Sequence, residues 1–293
     1  MLLAATLAAT EARAQLNPLA GIYFDNEYLA NPAMAGVNQG LNLNLGYRQQ
    51  WSAFSGSPQT QAVTADYGTG KKVGVGLSIY NDEAGLIKRT RAMGTYAYHL
   101  PINKNQNLHF GLSFGLMDQR ISNETVKGDL DDNSISTFND SETYMDGDFG
   151  LAYTRSKLTI QATIPNLKGS LKRDDLNRVG DRSSFFSAIS YKFYFPKAVN
   201  GLEIEPKLVY RTVKGYDHIV DLAANFAIAN RSISLMTIYH STQSSTFGLG
   251  VAIKKLGSVS SNYTTSTSSV SQYGNANFQI ALRLNLMQKD SSK

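Results

Sequence analysis

The sequence predicts an all-β protein: a single transmembrane antiparallel up-and-down β-barrel of about 14 strands, with both termini on the periplasmic side. Three observations carry that expectation. From Gly40 onward apolar and polar residues alternate with period two, the mark of strands whose two faces meet different surroundings. After residue 14 no stretch approaches the roughly 18 consecutive apolar residues that a membrane helix needs. The links after even-numbered segments are all tight, whereas the longest links follow odd-numbered ones, the parity of an outer-membrane barrel with short periplasmic turns and larger outer loops.

Taken in order, residues 1–14 (MLLAATLAATEARA) read as a signal peptide, possessing an Ala12-Arg13-Ala14 cleavage pattern but no positive n-region. Residues 15–39 are polar and interrupted by proline, and read as a periplasmic N-terminal arm. The barrel is expected over 40–287, and 288–293 form a C-terminal tail. Its first segment alternates Leu41, Leu43, Leu45 and Tyr47 with Asn42, Asn44, Gly46 and Arg48. Thr60 to Tyr67, Val73 to Tyr80, Thr90 to Leu100 and Leu108 to Met117 follow. Then come Phe149 to Tyr153, Leu158 to Ile164, Phe185 to Phe195, Leu202 to Tyr210, Val220 to Phe226, Ile233 to Tyr239 and Phe247 to Ile253. A weak, Ser/Thr-rich thirteenth segment over Leu256 to Thr267 and Phe278 to Leu284 complete the set.

Links such as Gly68 to Lys72, Pro101 to Gln106 and Arg155 to Lys157 are tight, whereas Ile121 to Met145 and Asn166 to Asp181 are long. Ser52 to Gln59 and Asn81 to Arg89 are expected to be of middle length, and the links after the ninth and eleventh segments are short. A β-sandwich gives no reason for this parity. Fourteen apolar half-faces also hold more side chain than a small barrel's interior accepts, so the apolar series is expected to face lipid and the polar series the lumen. The mean hydropathy, slightly negative, conceals this because the two faces average out. Trp51, Tyr67, Tyr80, Tyr98, Tyr153, Phe195 and Tyr210 suit interfacial girdles.

The expected lumen face carries both signs of charge: Glu203, Glu205, Lys207 and Arg211 share one strand. Pairing across the neighbouring turns is expected to place Glu205 near Lys192 and Arg211 near Asp221. Mixed signs beside small residues point to a partly filled, salt-bridged interior rather than a selective pore.

Chemistry is sparse. The absence of Cys excludes a disulfide scaffold and a thiolate metal site. A net charge of +5 with no basic run beyond two lysines gives no case for nucleic-acid binding. His99, His109, His218 and His240 lie on separate strands without metal-ligand spacing. His240-Ser241 lacks a nucleophile elbow and an evident orienting acid. Asp129-x-Asp131-x-Asn133 with Asp140 only partly imitates a calcium loop, since Ser134 replaces the turn glycine. No catalytic, cofactor-binding or metal residue is therefore assigned, and the protein is not expected to be an enzyme.

The first hundred residues resemble the PorP/SprF family of type IX secretion system outer-membrane proteins, known from Bacteroidota. The residues that carry the resemblance are Tyr28 to Asn31-Pro32-Ala33 with Gly36, Tyr47-Arg48-Gln49-Gln50-Trp51, and Gly56-x-Pro58-x-Thr60 with Asp66. They continue as Gly74-Val75-Gly76-Leu77, Asn81-Asp82-x-x-Gly85 and Tyr96-Ala97-Tyr98-His99, with weaker matches at Asp148 to Tyr153, Ile164 to Leu167 and Leu202 to Arg211. In physical terms Pro32 is expected to fix an extended approach and Gly36 a turn before the first strand. Trp51 is placed at the outer interface, Gly56 and Pro58 in the first loop, and Asn81, Asp82 and Gly85 in the second.

The resemblance implies a non-enzymatic outer-membrane component that aids export or surface anchoring of large adhesin-type cargo. Its implied partners are lipid, the secreted adhesin C-terminal domain and the periplasmic secretion or gliding machinery. The arm is the first choice for periplasmic contact and the Ile121 to Met145 loop for cargo. The competing reading is a porin or hydrophobic-substrate transporter.

Overall fold

The alternation along the strands is obeyed with the sense of a membrane protein. In the computed structural model, which describes residues 22–50, 56–121, 143–168, 183–213, 218–253, 256–266 and 277–286, large apolar side chains stand outside the wall. Leu45, Leu77, Phe114, Leu222 and Phe247 are each about half exposed, while Asn42, Arg48, Asp66, Lys207, Asp221 and His240 are buried within. A soluble barrel would reverse these faces; only contact with lipid makes the apolar exterior favourable.

Fifteen strand segments form the wall: β1 (Gly40–Gln50), β2 (Gln59–Gly68), β3 (Val73–Ala84), β4 (Ile87–Asn103), β5 (Gln106–Ile121), β6 (Thr143–Arg155), β7 (Leu158–Ile164), β8 (Ser183–Tyr191), β9 (Phe193–Phe195), β10 (Leu202–Val213), β11 (Ile219–Ile228), β12 (Ile233–His240), β13 (Ser244–Ile253), β14 (Gly257–Ser266) and β15 (Asn277–Leu286). β8 and β9 are halves of one strand, since both pair with β10, so the wall has fourteen strands. Every pairing between these strands is antiparallel and joins neighbours in sequence order, and β1 pairs with β15, which closes the sheet. Closure leaves no edge whose N–H and C=O groups would face hydrocarbon unpaired.

Three differences from the sequence expectation have physical causes. The second long-side link is not a loop of middle length. β3 and β4 continue to a two-residue turn at Gly85-Leu86, with Asp82 opposite Arg89 and Glu83 opposite Lys88. Charged residues had marked the segment as loop, but opposite charges facing one another across two strands stabilise a hairpin. At about 3.3 Å per residue, the 17 residues of β4 outrun the roughly 25 Å apolar band of such barrels. The hairpin therefore rises beyond the membrane, and Gly85 N–H donates to Gly56 C=O at its tip.

The second difference lies in the eighth strand, which is interrupted at Lys192. Pro206 of β10 stands where the ladder fails, and proline has no N–H to donate. The third is one of degree only: the Ser/Thr-rich segment is the strand expected there, but it is not weak, since β14 pairs with β13 over ten residues and with β15 over eight. Its inward Ser260, Asn262 and Thr264 are buried, so polar composition there reflects a lumen-facing wall.

The signal peptide, Trp51 and the partial calcium pattern lie outside the described residues, as does the long loop over 122–142.

Candidate functional site

The largest concentration of buried contacts is in the lumen, and residues 22–36 make it. The expectation of an arm lying on the periplasmic side is corrected for this stretch: it is packed inside the barrel as three short turns, α1 (Ile22–Asp25), α2 (Glu27–Ala30) and a 3-10 turn over Pro32–Met34. Such short helices need capping and packing to form at all. Asn26 Oδ1 accepts from Leu29 N–H at 3.2 Å, and Asn31 Oδ1 accepts from Ala33 N–H at 2.9 Å. Pro32 occupies the first position of its turn, where its missing N–H is harmless, and the extended geometry falls on the preceding Asn31.

The Pro32 end of the arm is held by shape. Asn31, Ala33 and Ala35 are fully buried. A Cβ on Gly111 would come within 2.2 Å of Ala33 N, and one on Gly150 within 2.1 Å of Asn31 Oδ1. β5 and β6 are thus bare of side chain where the arm lies on them. Asn31 Nδ2 donates to Leu151 C=O at 3.1 Å. At the arm's root, Gly36 has φ of +70° and its N–H donates to Asp66 Oδ2 at 3.0 Å.

The Tyr23 end is held by charge and by an apolar patch. Lys207 Nζ donates to Tyr23 C=O at 2.6 Å and to Glu27 Oε1 at 2.8 Å. Tyr23 Oη donates to Asp221 Oδ2 at 2.6 Å, and Ser260 Oγ donates to Asp25 Oδ2 at 2.6 Å. Burial pushes the Glu27 carboxyl up, but the Lys207 ammonium outweighs it and holds the group below its usual range. Burial wins for Asp25, whose carboxyl sits above the usual range despite the Ser260 hydroxyl. The Tyr23 ring packs on Phe186, Ala188, Val209, Ala223, Met236 and Ile238, an apolar island in an otherwise polar lumen. Between the two ends, Asn26 Nδ2 donates to Thr64 Oγ1 at 2.9 Å and Tyr28 Oη to Thr95 Oγ1 at 2.8 Å.

The residues singled out from the sequence fall into separate groups. Asn31, Pro32 and Gly36 belong to the arm. Arg48 is buried in the lumen, and its two terminal nitrogens have no hydrogen-bond partner among the described residues. Gly56 and Pro58 shape the link before β2, where Pro58 C=O accepts from Gln50 N–H at 2.9 Å. Asn81 and Asp82 are strand residues rather than loop residues, bonded to Thr90 at 3.0 Å and Thr60 at 2.8 Å, and Gly85 forms the hairpin tip.

Lys192 Nζ stands 3.6 Å from Glu205 Oε2 and Arg211 Nη2 3.1 Å from Asp221 Oδ2. In the first pair Lys192 is half exposed at the strand break and Glu205 is buried; the second pair is buried beneath Tyr23. Tyr23, Tyr28 and Lys207 were not recognisable from the sequence as arm contacts. The available signal was the bulky apolar residues at inward positions, Phe186, Val209, Met236 and Ile238, which have no use in a water-filled lumen.

Two histidine arrangements join residues that sequence spacing had left apart. His99 Nδ1 lies 2.8 Å from His109 Nδ1 across β4 and β5. His240 Nδ1 lies 2.8 Å from Asp221 Oδ1 and its Nε2 2.9 Å from Thr246 Oγ1. An orienting acid for His240 is therefore present, contrary to the sequence reading. The hydroxyl that His240 meets is that of Thr246, while Ser241 Oγ accepts from Val220 N–H at 2.9 Å. His240, Asp221 and Thr246 are all fully buried, so no substrate reaches them. No cluster of three or more metal-ligating side chains occurs among the described residues.

The fold is similar to that of the Acinetobacter baumannii outer membrane protein Omp33, with a TM-score of 0.51 at 6% identity, covering 85% of this chain and 99% of that one. It is more loosely similar to the Pseudomonas putida toluene transporter TodX, with a TM-score of 0.49 at 10% identity over 89% of this chain and 94% of that one. The Omp33 likeness supports the barrel fold alone, and the looser one adds nothing to it. No curated protein matches the sequence. The family described as type IX secretion system membrane protein PorP/SprF matches residues 12–284, nearly the whole chain and the lumen-bound arm with it. Together with the inside-out barrel this places the protein in the outer membrane, and the chain, a component of the type IX secretion system, belongs to the PorP/SprF family.

Proposed function

We propose that this barrel is a closed, non-enzymatic outer-membrane partner of type IX secretion, which aids export or surface anchoring of large adhesin-type cargo and does not conduct solute itself. The observation that carries the reading is the arm: residues 22–36 occupy the lumen and bond to β2, β4, β6, β10, β11 and β14. A diffusion channel has no use for a lumen filled in this way. The buried Thr246-His240-Asp221 chain serves the arm's seat, which favours a structural role over a catalytic one.

With the short turns and both termini on the periplasmic side, the long-loop end, including the link between β5 and β6, is the surface for secreted cargo. The periplasmic machinery then meets the short-turn end. There Val37, Asn38 and Gln39 are exposed where the arm leaves the lumen, whereas residues 31–36 are buried throughout and not available for contact.

Two measurements on the full chain test this. Planar bilayers are expected to show no steady conductance, and affinity purification to recover an adhesin C-terminal domain or periplasmic secretion components. A steady open conductance with neither partner recovered overturns the proposal in favour of a porin or hydrophobic-substrate transporter.

A further inference from the structure

One buried cation of the lumen stands without a counterpart. Arg48 is buried on the inward face of β1, and neither terminal nitrogen of its guanidinium has a hydrogen-bond partner among the described residues. The ionisable groups that act on it are Tyr80, Asp82, Arg211 and Tyr23. Arg211 is already matched, 3.1 Å from Asp221, and Asp82 accepts from Thr60 Oγ1 at 2.8 Å and stands opposite Arg89. A buried ion left alone is costly, and a water molecule can bond to it without neutralising it.

The strand register shows what surrounds the guanidinium. From β14 to β4, Asn262, Gln279, Arg48, Thr60, Asp82 and Arg89 are successive cross-strand partners and form one inward row. Asn262 Nδ2 is buried and, like the guanidinium, has no hydrogen-bond partner among the described residues. Its oxygen lies on the β13 side, where a Cβ on Gly248 would come within 2.1 Å of Asn262 Oδ1. The nitrogen of the planar amide therefore turns the other way, towards β15 and Arg48. Two strand spacings put the Asn262 and Arg48 main chains about 10 Å apart across the buried Gln279. An arginine side chain and one small ligand fill that gap. One inward position lower on β1, Gly46 lines a small cavity with Ile22 and Asp25, so the arm closes the lumen beneath the row.

We infer that Arg48, Asn262 and Gln279 form a binding site for a carboxylate that enters the lumen from the long-loop end. Charge sets the class of ligand. The row carries two cations and one acid, and Asp82 faces Arg89, so a monoanion balances Arg48. A phosphate dianion would leave a buried negative excess beside Asp82. Shape agrees, because a guanidinium donates two parallel N–H bonds to the two oxygens of a carboxylate, and the amide nitrogens add donors from one side. The carboxylate belongs to a small free acid or to the end of a polypeptide. The site is independent of the secretion reading, which its failure would leave untouched.

The test is thermal unfolding of the full chain in micelles at neutral pH, in sodium acetate against sodium chloride of equal ionic strength. The wild type is expected to melt higher in acetate, and the concentration dependence of the midpoint yields an apparent Kd. Arg48→Met is expected to lose that difference. In chloride it should melt at least as high as the wild type, because it deletes a buried charge that the chain does not balance. Asn262→Ala is expected to keep the response with its Kd raised about tenfold, the loss of one charge-assisted hydrogen bond. Acetyl-tetraglycine as the free acid separates the two sources. A stronger response than to acetate assigns the site to a chain end, a weaker one assigns it to a small free acid, and either upholds the site. Equal melting of the wild type in acetate and chloride overturns the proposal. So does an Arg48→Met variant that melts below the wild type by the same amount in both salts, which would make Arg48 an ordinary structural residue.

Discussion

The two ends of the arm are held by opposite means. Around Pro32, the arm's main chain lies against Gly111 and the Asn31 and Pro32 side chains against Gly150, and no charged side chain takes part in either contact. Around Tyr23, a lysine, two carboxylates and a tyrosine hydroxyl make the contact over an apolar island. A seat made by shape is indifferent to salt and pH but intolerant of added atoms. A seat made by charge tolerates small changes of volume but responds to the loss of any partner, because a buried ion left alone is expensive.

The largest expected effect breaks the shape seat. Gly111→Val would put a Cβ within 2.2 Å of main-chain atoms of Pro32 and Ala33, which cannot rotate away. The penalty should exceed about 3 kcal/mol, beyond the usual range for overpacking. Since the chain has no Cys, Ala33→Cys supplies a single thiol at a fully buried position. Its labelling by a maleimide should accelerate by roughly 100-fold in the Gly111→Val background, in proportion to that free energy. An unchanged rate would show that the arm is not seated on β5.

Next comes the charge seat. Lys207→Met removes the ammonium between Tyr23 C=O and Glu27 and should destabilise the arm by about 2–3 kcal/mol in urea unfolding from vesicles, less than for a fully enclosed pair because Glu27 is partly exposed. Acid acts on the same contact. The folded-state pKa of Glu27 lies below its ordinary value of 4.5, so its contribution is present above that pH and is lost as the pH falls through the lower, folded value. Lys207→Met should flatten this loss, whereas Gly111→Val should leave it intact.

Much of the wall was legible in the sequence, and the contrast with the arm explains why. Strand faces follow parity, which each residue reports on its own: Asn42, His109 and Asp221 read as inward from their neighbours alone. Even the charge partners Glu205 and Arg211 follow from counting across a turn. The arm has no such periodicity. Its contacts join residues nearly 200 positions apart, as between Tyr23 and Asp221, and depend on where a glycine leaves room. Hairpin length failed for a different reason: Asp82, Glu83, Lys88 and Arg89 look like loop one by one and like strand only as facing pairs.

A smaller effect is expected for Tyr23→Phe, which keeps the ring on its apolar island and removes one donor to Asp221. Because Arg211 and His240 still satisfy that carboxylate, the loss should be about 1 kcal/mol by urea unfolding, that of an ordinary hydrogen bond. A loss of 3 kcal/mol or more would mean that the hydroxyl, rather than the ring, seats the arm.

The smallest effect separates Asp25 from Glu27 by the sign of their pH response. Ser260→Ala deletes the hydroxyl that donates to Asp25, at a cost near 1 kcal/mol at neutral pH. Burial already raises the Asp25 pKa, and without the Ser260 hydrogen bond it should rise further. A group whose folded-state carboxyl pKa lies above its unfolded value gains stability as the pH falls, because the folded form binds the proton first. The deficit of Ser260→Ala relative to wild type should therefore shrink on acidification, the reverse of the Glu27 response. If it grows instead, Asp25 is held as an anion by its surroundings, and the Tyr23 end is more strongly electrostatic than one ammonium can account for.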